Sequence, residues 1–80
     1  MSEEIFSKLK KLISADLGVD ETEINEDSHL QEDLNADLLS ITDLFIKLEK
    51  EFGITINQDQ SHKLQTVGDI LNLIDDQIGE

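Results

Sequence analysis

The sequence contains no cysteine, proline, tryptophan or tyrosine, and its six basic residues stand against 19 acidic ones. The absence of cysteine excludes disulfides, thiolate metal sites and a cysteine nucleophile. No apolar run approaches the roughly 20 residues of a membrane-spanning helix, and the first residues lack the apolar core of a secretory signal. We therefore expect a cytoplasmic protein that does not bind a membrane.

The formal net charge of −13 restricts the class of partner. The phosphates of nucleic acid would be repelled, whereas basic protein surfaces would be attracted and their encounters accelerated. A simpler interpretation is that the acidity only keeps a small protein soluble. Disorder is not expected, because 38% of the residues are apolar and they recur at helical spacing.

The sequence contains no recognisable catalytic or metal-binding motif. It has no phosphate-binding loop and no glycine-rich dinucleotide turn. The segment beginning at Asp20 fails as a calcium loop, because Ile24 and Asn25 stand where an oxygen ligand and a glycine are required. His29 and His62 lie far apart in sequence, and we interpret them as exposed polar side chains. Neither an enzyme nor a metal site is expected.

The clearest helical pattern lies between Asp37 and Gly53. Asp37 is suited to accept hydrogen bonds from the first free N–H groups, and Gly53 to adopt the left-handed conformation that commonly ends a helix. A second apolar stripe, with Leu39 and Ile46, lies beside the main one and is bordered by carboxylates. It is either the edge of a broad core face or a docking surface with an acidic rim. The predicted core residues are Ile41, Leu44, Phe45, Leu48 and Phe52.

Three further segments have helical spacing. Residues 2–17 predict a helix that Gly18 ends. A short helix is expected after Asn57, through about residue 64. Thr66 and Asp69 form the two halves of a capping box that opens the last helix. The buried stripe predicted for that helix consists of Val67, Ile70, Leu71, Ile74 and Ile78.

The connection over residues 19–32 is long and polar, with Ile24 and Leu30 as its expected core anchors. A loop of this length in a compact domain is usually functional or loosely ordered. Residues 54–56 are predicted to be an extended linker, because a strand of that size would have no partner. The expected fold is therefore an all-α bundle of three longer helices and one short helix, forming one domain over residues 1–80.

Three stretches resemble a known family. Residues 33–39 read D-L-N-A-D-L-L and residues 48–52 read L-E-K-E-F. They are similar to the D-L-G-A-D-S-L lead-in and the L-E-x-E-F end of the central helix in the acyl carrier proteins. The T-V-G-D at residues 66–69 resembles the start of that family's last helix. The resemblance covers nearly the whole chain and implies the small four-helix fold of the bacterial fatty-acid-synthesis carriers.

One departure from the family falls on its attachment position. The family's serine carries 4′-phosphopantetheine, the arm that holds the acyl group as a thioester, and Leu38 stands in its place. Leucine has no hydroxyl and cannot form the phosphodiester. Ser40 is the alternative attachment residue, although aligning it would displace the matching residues on both sides. Leu38 itself is expected to be exposed in the first helical turn, and the alternative is that it extends the core stripe.

The resemblance also implies a docking surface for the basic faces of acyl-synthesis enzymes and of a phosphopantetheinyl transferase. Ser40 and Lys50 stand where acidic residues are common in the family, which weakens its acidic pattern here. The docking residues that the resemblance implies are Asp37, Leu39, Ser40, Asp43, Ile46, Glu49 and Lys50.

Two functional hypotheses follow. The first is a monomeric acyl carrier that shuttles thioester-linked acyl chains between fatty-acid-synthesis enzymes, here in a form that cannot be loaded at Leu38. The second is an arm-independent protein–protein interaction module that has kept the docking surface. The intact lead-in before Leu38 favours the first, because a protein released from carrying would have little need of it.

Overall fold

The computed structural model describes residues 2–78 of the chain. Within that range it contains four α-helices and one 3₁₀ turn, and its only β-type contact is an isolated antiparallel bridge between His29 and Thr66. The all-α fold with three longer helices and one short helix is therefore confirmed. None of these helices is long and apolar enough to cross a membrane. The helices are α1 (Ser2–Leu17), α2 (Leu38–Phe52), α3 (Gln58–Lys63) and α4 (Val67–Ile78), with the 3₁₀ turn at Glu21–Glu23.

The core lies where α1 packs against both α2 and α4. Each buried aliphatic side chain in this cluster stabilises the fold by roughly 1.5–3 kcal/mol relative to exposure. The loop anchors Ile24 and Leu30 are buried as predicted, and Ile41 and Phe52 of the predicted stripe are partly buried against the cluster. The buried helical residues are Leu9, Ile13, Leu44, Phe45, Leu48, Val67, Ile70, Leu71 and Ile74.

The prediction for Ile78 was wrong. Its side chain is 42% exposed, although it continues the helical spacing of the α4 stripe. Ile78 lies in the last turn of α4, one turn beyond Ile74, which is the last fully buried residue of that helix. Periodicity identifies the face of a helix, but it does not show how far along the helix the neighbouring elements reach.

The predicted helix ends are confirmed. The Asp37 side chain accepts a hydrogen bond from the Ser40 N–H, and Gly53 ends α2 in the left-handed conformation with φ 66°. Asn57 caps α3 through a reciprocal capping box with Gln60. At α4 the Thr66 hydroxyl accepts from the Asp69 N–H at 3.2 Å, while the Asp69 carboxylate accepts from the Thr66 N–H at 3.1 Å. These contacts satisfy N–H groups that the helices leave free.

The long connection between α1 and α2 is held against the start of α4 by backbone hydrogen bonds. The Val67 N–H donates to the Ser28 carbonyl at 3.0 Å, and the Gly68 N–H donates to the Glu26 carbonyl at 2.9 Å. The Leu30 N–H donates to the Gln65 carbonyl at 2.9 Å. The loop therefore supplies the acceptors that the first turn of α4 lacks within its own helix. Its length reflects this packing rather than loose order.

The extended segment after α2 forms no strand in the structure, as predicted, and side chains satisfy its backbone. The side-chain amide of Gln77 accepts from the Thr55 N–H at 3.0 Å and donates to the Thr55 carbonyl at 2.7 Å. The Glu49 carboxylate accepts from the Ile56 N–H at 2.8 Å. One amide side chain thus takes the place of a neighbouring strand at this point.

The close approach of the loop to α4 predicts an unusual effect of Gly68→Ala. Alanine normally stabilises a helix interior relative to glycine by roughly 0.5–1 kcal/mol. Here a Cβ at position 68 would lie 3.0 Å from the Glu26 carbonyl oxygen, the acceptor of the Gly68 N–H. We expect Gly68→Ala to destabilise the protein by about 1–3 kcal/mol, because the loop must shift or lose its hydrogen bond.

Chemical denaturation of this variant and of Asn72→Ala provides the measurement. Asn72 is exposed in the same helix, so its replacement should be neutral or stabilising. A Gly68→Ala protein as stable as Asn72→Ala would show that the loop contact is dispensable.

Candidate functional site

The lead-in to α2 is fixed by burial on both sides of a left-handed residue. Leu34 and Ala36 are buried, and the Ala36 N–H donates to the Leu30 carbonyl at 2.9 Å. Between them Asn35 has φ 59°, a conformation that asparagine tolerates better than most residues and glycine adopts without strain. The motif that this lead-in resembles has glycine at the position of Asn35. The left-handed conformation explains why glycine or asparagine suits that position.

Asp37 ends this lead-in as the N-cap of α2. Its side chain accepts from the Ser40 N–H at 2.8 Å. Hydrogen bonds from Ser40 hold the pKa of the Asp37 carboxyl below its usual range, because they favour the charged form. The cap is therefore a carboxylate at neutral pH, where it complements the helix dipole.

Leu38 occupies the first turn of α2 and is 73% exposed. The expectation that it is exposed is confirmed, and the alternative that it extends the core stripe is wrong. Its side chain contains no oxygen, so the geometry presents a hydrocarbon where a phosphodiester would need a hydroxyl. Ser40 is half-buried, and the Thr42 hydroxyl donates to the Leu38 carbonyl at 2.9 Å. Position 38 does not fit a phosphate-linked group.

A cavity of about 370 Å³ opens beside Leu38, between α2, α3 and the turn that follows His29. It brings together the chain's two histidines, which sequence spacing had separated. Its apolar lining includes Leu30, Ile41 and Leu64. The remaining lining residues are Gln31, Glu32, Ser61, His62 and Gln65.

The two histidines differ in their surroundings. His62 is exposed on α3, as expected. For His29 the expectation was wrong: its side chain is half-buried, and its Nδ1 is buried without a hydrogen-bond partner in the described part of the chain. The His29 backbone is bridged to Thr66, and its N–H donates to the Asp33 carboxylate at 2.7 Å. The bridge to Thr66 joins residues distant in sequence, so no local sequence signal predicts the surroundings of His29.

The second apolar stripe of α2 is exposed, so its interpretation as the edge of a core face is wrong. Leu39 is 80% exposed and Ile46 is 46% exposed. Together with Ser40, Thr42 and Asp43 they line a shallow groove on the outer side of α2. We call this set of five residues the α2 groove. It combines two apolar side chains with two hydroxyls and one carboxylate.

The acidic residues implied for docking also have contacts within the chain. The exposed Asp43 carboxylate lies 3.3 Å from the Lys47 ammonium, which also pairs with the buried carboxylate of Asp16 on α1. The hydrogen bond to Asp16, and then that to Asp43, raise the pKa of Lys47. The Glu49 carboxylate already accepts a hydrogen bond from the Ile56 N–H. Asp43 is therefore the more accessible of these two carboxylates for an outside partner.

The remaining implied docking residue, Lys50, is exposed in the last turn of α2, where its charge is favourable to the helix dipole. It lies one helical turn beyond Ile46.

Among residues 2–78 no group of three or more His, Asp or Glu side chains is placed to hold a metal ion.

Comparison with known proteins gives consistent matches. The family model for the phosphopantetheine attachment site matches residues 7–74. The acyl carrier protein of Thermotoga maritima is 46% identical over 77 residues, which cover 96% of this chain and 95% of that protein. The acyl carrier protein of Chlamydia felis is 44% identical over 72 residues, covering 90% and 92%. The structure of the acyl carrier protein from Enterococcus faecalis superposes with a TM-score of 0.78 at 31% identity, covering 92% and 94%.

The left-handed residue in the lead-in yields a matched pair of substitutions. Asn35→Gly should be neutral or slightly stabilising, because glycine adopts φ 59° without strain. Asn35→Ala should cost about 1 kcal/mol, because a plain Cβ is disfavoured there and the asparagine side chain is lost. Thermal denaturation of both variants provides the comparison. Equal stability of the two would mean that the lead-in relaxes away from the left-handed conformation.

Proposed function

This chain belongs to the acyl carrier protein family, and we propose that it is a carrier-type domain whose position 38 is unable to take the family's prosthetic arm. The carrier role rests on the family match and on relatives of nearly equal length. The family carries 4′-phosphopantetheine. The inability to be loaded rests on the side chain at position 38.

The observation that carries the proposal is the geometry at the start of α2. The lead-in, the Asp37 cap and the first helical turn are all formed, and position 38 projects into solvent where a modifying enzyme would reach it. On this proposal the attachment site lacks only the hydroxyl oxygen at position 38. Since the arm is joined through a serine hydroxyl, Leu38 blocks the attachment at its first bond.

The cavity beside Leu38 suits the sheltering of an acyl chain. Leu30, Ile41 and Leu64 supply the apolar part of its lining, and Leu38, the residue at the family's attachment position, also lines it. Its volume of about 370 Å³ falls in the range typical of small-molecule sites. In a form with serine at position 38, a chain attached there would have a short path into this space.

The α2 groove is the surface that we assign to partner enzymes. Leu39 and Ile46 offer apolar contact, while Asp43 and the net charge of −13 favour a basic face. Asp37, Glu49 and Lys50 complete the proposed docking residues, although Asp37 and Glu49 already accept hydrogen bonds within the chain. As part of the same proposal we place the protein in the cytoplasm as a monomer that performs no catalysis.

A second candidate function, an arm-independent interaction module, is favoured by the exposed pair of Leu38 and Leu39. These two neighbouring leucines are 73% and 80% exposed, and together they enlarge the apolar surface at the start of α2. In this reading Leu38 contacts the partner directly in place of the arm.

The attachment proposal is tested with Leu38→Ser. The variant and the unmodified protein are incubated with coenzyme A and a broad-specificity phosphopantetheinyl transferase, and intact mass is measured. We expect the variant to gain one phosphopantetheine and the unmodified protein to gain none. Stability should be nearly unchanged, because an exposed leucine contributes little to the core.

Ser40→Ala, made alone and together with Leu38→Ser, is the matched control. Loading of the unmodified chain that disappears in Ser40→Ala would identify Ser40 as the attachment residue and refute our assignment. A well-folded Leu38→Ser protein that is never loaded would favour the interaction module.

The docking proposal is tested with Asp43→Lys in the Leu38→Ser background. The initial rate of loading at low salt should fall severalfold, because the change removes attraction where the basic enzyme face docks. The difference should shrink at high salt, where exposed charges are screened. Asp76→Lys makes the same change of charge at an exposed position on α4. Equal rates for the two variants would remove the α2 groove from consideration.

A further inference from the structure

We propose that Lys47 is a specificity-determining residue of the α2 groove. Its ammonium pairs with Asp43 from within the chain, which weakens the docking of partners that place a cation there and favours partners that contact the groove through apolar side chains. The inference deepens the docking role proposed above and rests on it. The partner surface that fits is apolar where it covers Leu39 and Ile46, with its basic residues away from Asp43.

Lys47 is held in place from the neighbouring helix. Its Nζ is hydrogen-bonded to the carboxylate of Asp16, in the last turn of α1. Only 6% of the Asp16 side chain is exposed, against 49% of the Lys47 side chain. A carboxylate that is nearly removed from water needs a partner, so Asp16 restrains the ammonium. The hydrogen bond to Asp16, and then that to Asp43, raise the pKa of Lys47, so the ammonium stays charged throughout the neutral range.

The same ammonium lies against the one charged residue of the α2 groove. The Lys47 Nζ is 3.3 Å from the Asp43 carboxylate, one helical turn earlier, and 58% of the Asp43 side chain is exposed. An acidic residue four positions before a basic one is the favourable order for such a pair on a helix. The groove and Lys47 together therefore carry no net charge, although the whole chain carries −13.

The other carboxylates along α2 are also engaged within the chain. The Glu51 carboxylate lies 3.3 Å from the Lys8 ammonium on α1, and the Glu49 carboxylate accepts from the Ile56 N–H. The Asp37 cap accepts from a backbone N–H of its own helix. Every acidic residue from the cap to the end of α2 thus has a partner within the chain, so a docking cation competes for each of them.

A partner's cation that approaches Asp43 meets Lys47 at the same carboxylate. Two cations that share one carboxylate lie close together, and their repulsion offsets part of the attraction to Asp43. An apolar side chain that covers Leu39 or Ile46 meets no such opposition, because its contribution comes from the area removed from water. The groove therefore discriminates between partners by apolar contact more than by charge.

The test measures the binding of two short, capped helical peptides, one of leucine and lysine and one of leucine and glutamine. Methyl NMR titrations at low salt follow Leu39 and Ile46 and give the affinity of the groove for each peptide. The main variant combines Asp16→Asn with Lys47→Gln. It removes the cation beside Asp43 and keeps the net charge at −13, because one charge of each sign is lost.

We expect this charge-balanced variant to bind the leucine–lysine peptide roughly two- to fivefold more tightly than the unmodified chain does, the range that exposed ion pairs contribute. Its affinity for the leucine–glutamine peptide should be unchanged. The gain should shrink at high salt, where exposed charges are screened, whereas a merely structural effect would not.

Further variants separate the charge of Lys47 from its structural role. Lys47→Arg keeps the cation and should bind both peptides as the unmodified chain does. In an Asp43→Asn background the gain should be smaller, because no carboxylate then draws a cation to this point. If the charge-balanced variant does not fold, Lys47→Gln alone is compared with Lys11→Gln, which removes the same charge at an exposed position on α1. Lys47→Gln should then bind the leucine–lysine peptide more tightly than Lys11→Gln.

Equal affinity of the unmodified chain and the charge-balanced variant for the leucine–lysine peptide would overturn the inference. A gain of the same size for the leucine–glutamine peptide, or in the Asp43→Asn background, would overturn it too. These outcomes leave the docking surface intact, because the peptides still shift the methyl groups of Leu39 and Ile46. Peptides that shift neither residue in any variant would instead refute the docking role of the α2 groove, and the inference with it.

Discussion

The structure depends on the pairing of the long loop with the first turn of α4. Glu26 and Ser28 offer their carbonyl oxygens to the N–H groups of Gly68 and Val67, and Leu30 is tied to Gln65 in the same way. These hydrogen bonds fix the loop against α4. The loop in turn positions the lead-in to α2, and the lead-in positions residue 38 at the start of that helix. The cavity has the same origin, because the bridge between His29 and Thr66 sets one of its walls. The site is thus built on contacts distant in sequence.

Local chemistry made much of the fold predictable. The helical spacing of apolar residues identified α1, α2 and α4, and the caps at Asp37, Asn57 and Thr66 form as their side chains suggest. These signals act within one or two turns, so they need no knowledge of the rest of the chain. The position of Leu38 in the first turn of α2 follows from the Asp37 cap in the same way, and the motif around it identified the family.

The features that the sequence did not reveal depend on how separate elements of the fold pack against one another. Nothing near His29 indicates that its ring is half-buried and shares a cavity with His62, which lies on another element. The family resemblance implied Glu49 as a docking residue but gave no sign that its carboxylate satisfies the Ile56 N–H. Ile78 keeps the period of its helix but lies beyond the last buried turn. Periodicity and charge describe a residue's helix, and tertiary packing decides what that residue contacts.

The short helix α3 has no buried residue of its own, and it is joined to the core through Ile54 before it and Leu64 after it. The Gln77 amide is hydrogen-bonded to the backbone of Thr55, so the segment that precedes α3 is held in place. The helix α3 itself buries little surface against the bundle. Moving α3 outward would expose little apolar surface, whereas moving α1, α2 or α4 would open the core. The core therefore holds α1, α2 and α4 along their length and α3 only at its two ends, and α3 borders the cavity. In the proposed carrier role, chains of different length would be accommodated here at small cost to the stability of the fold.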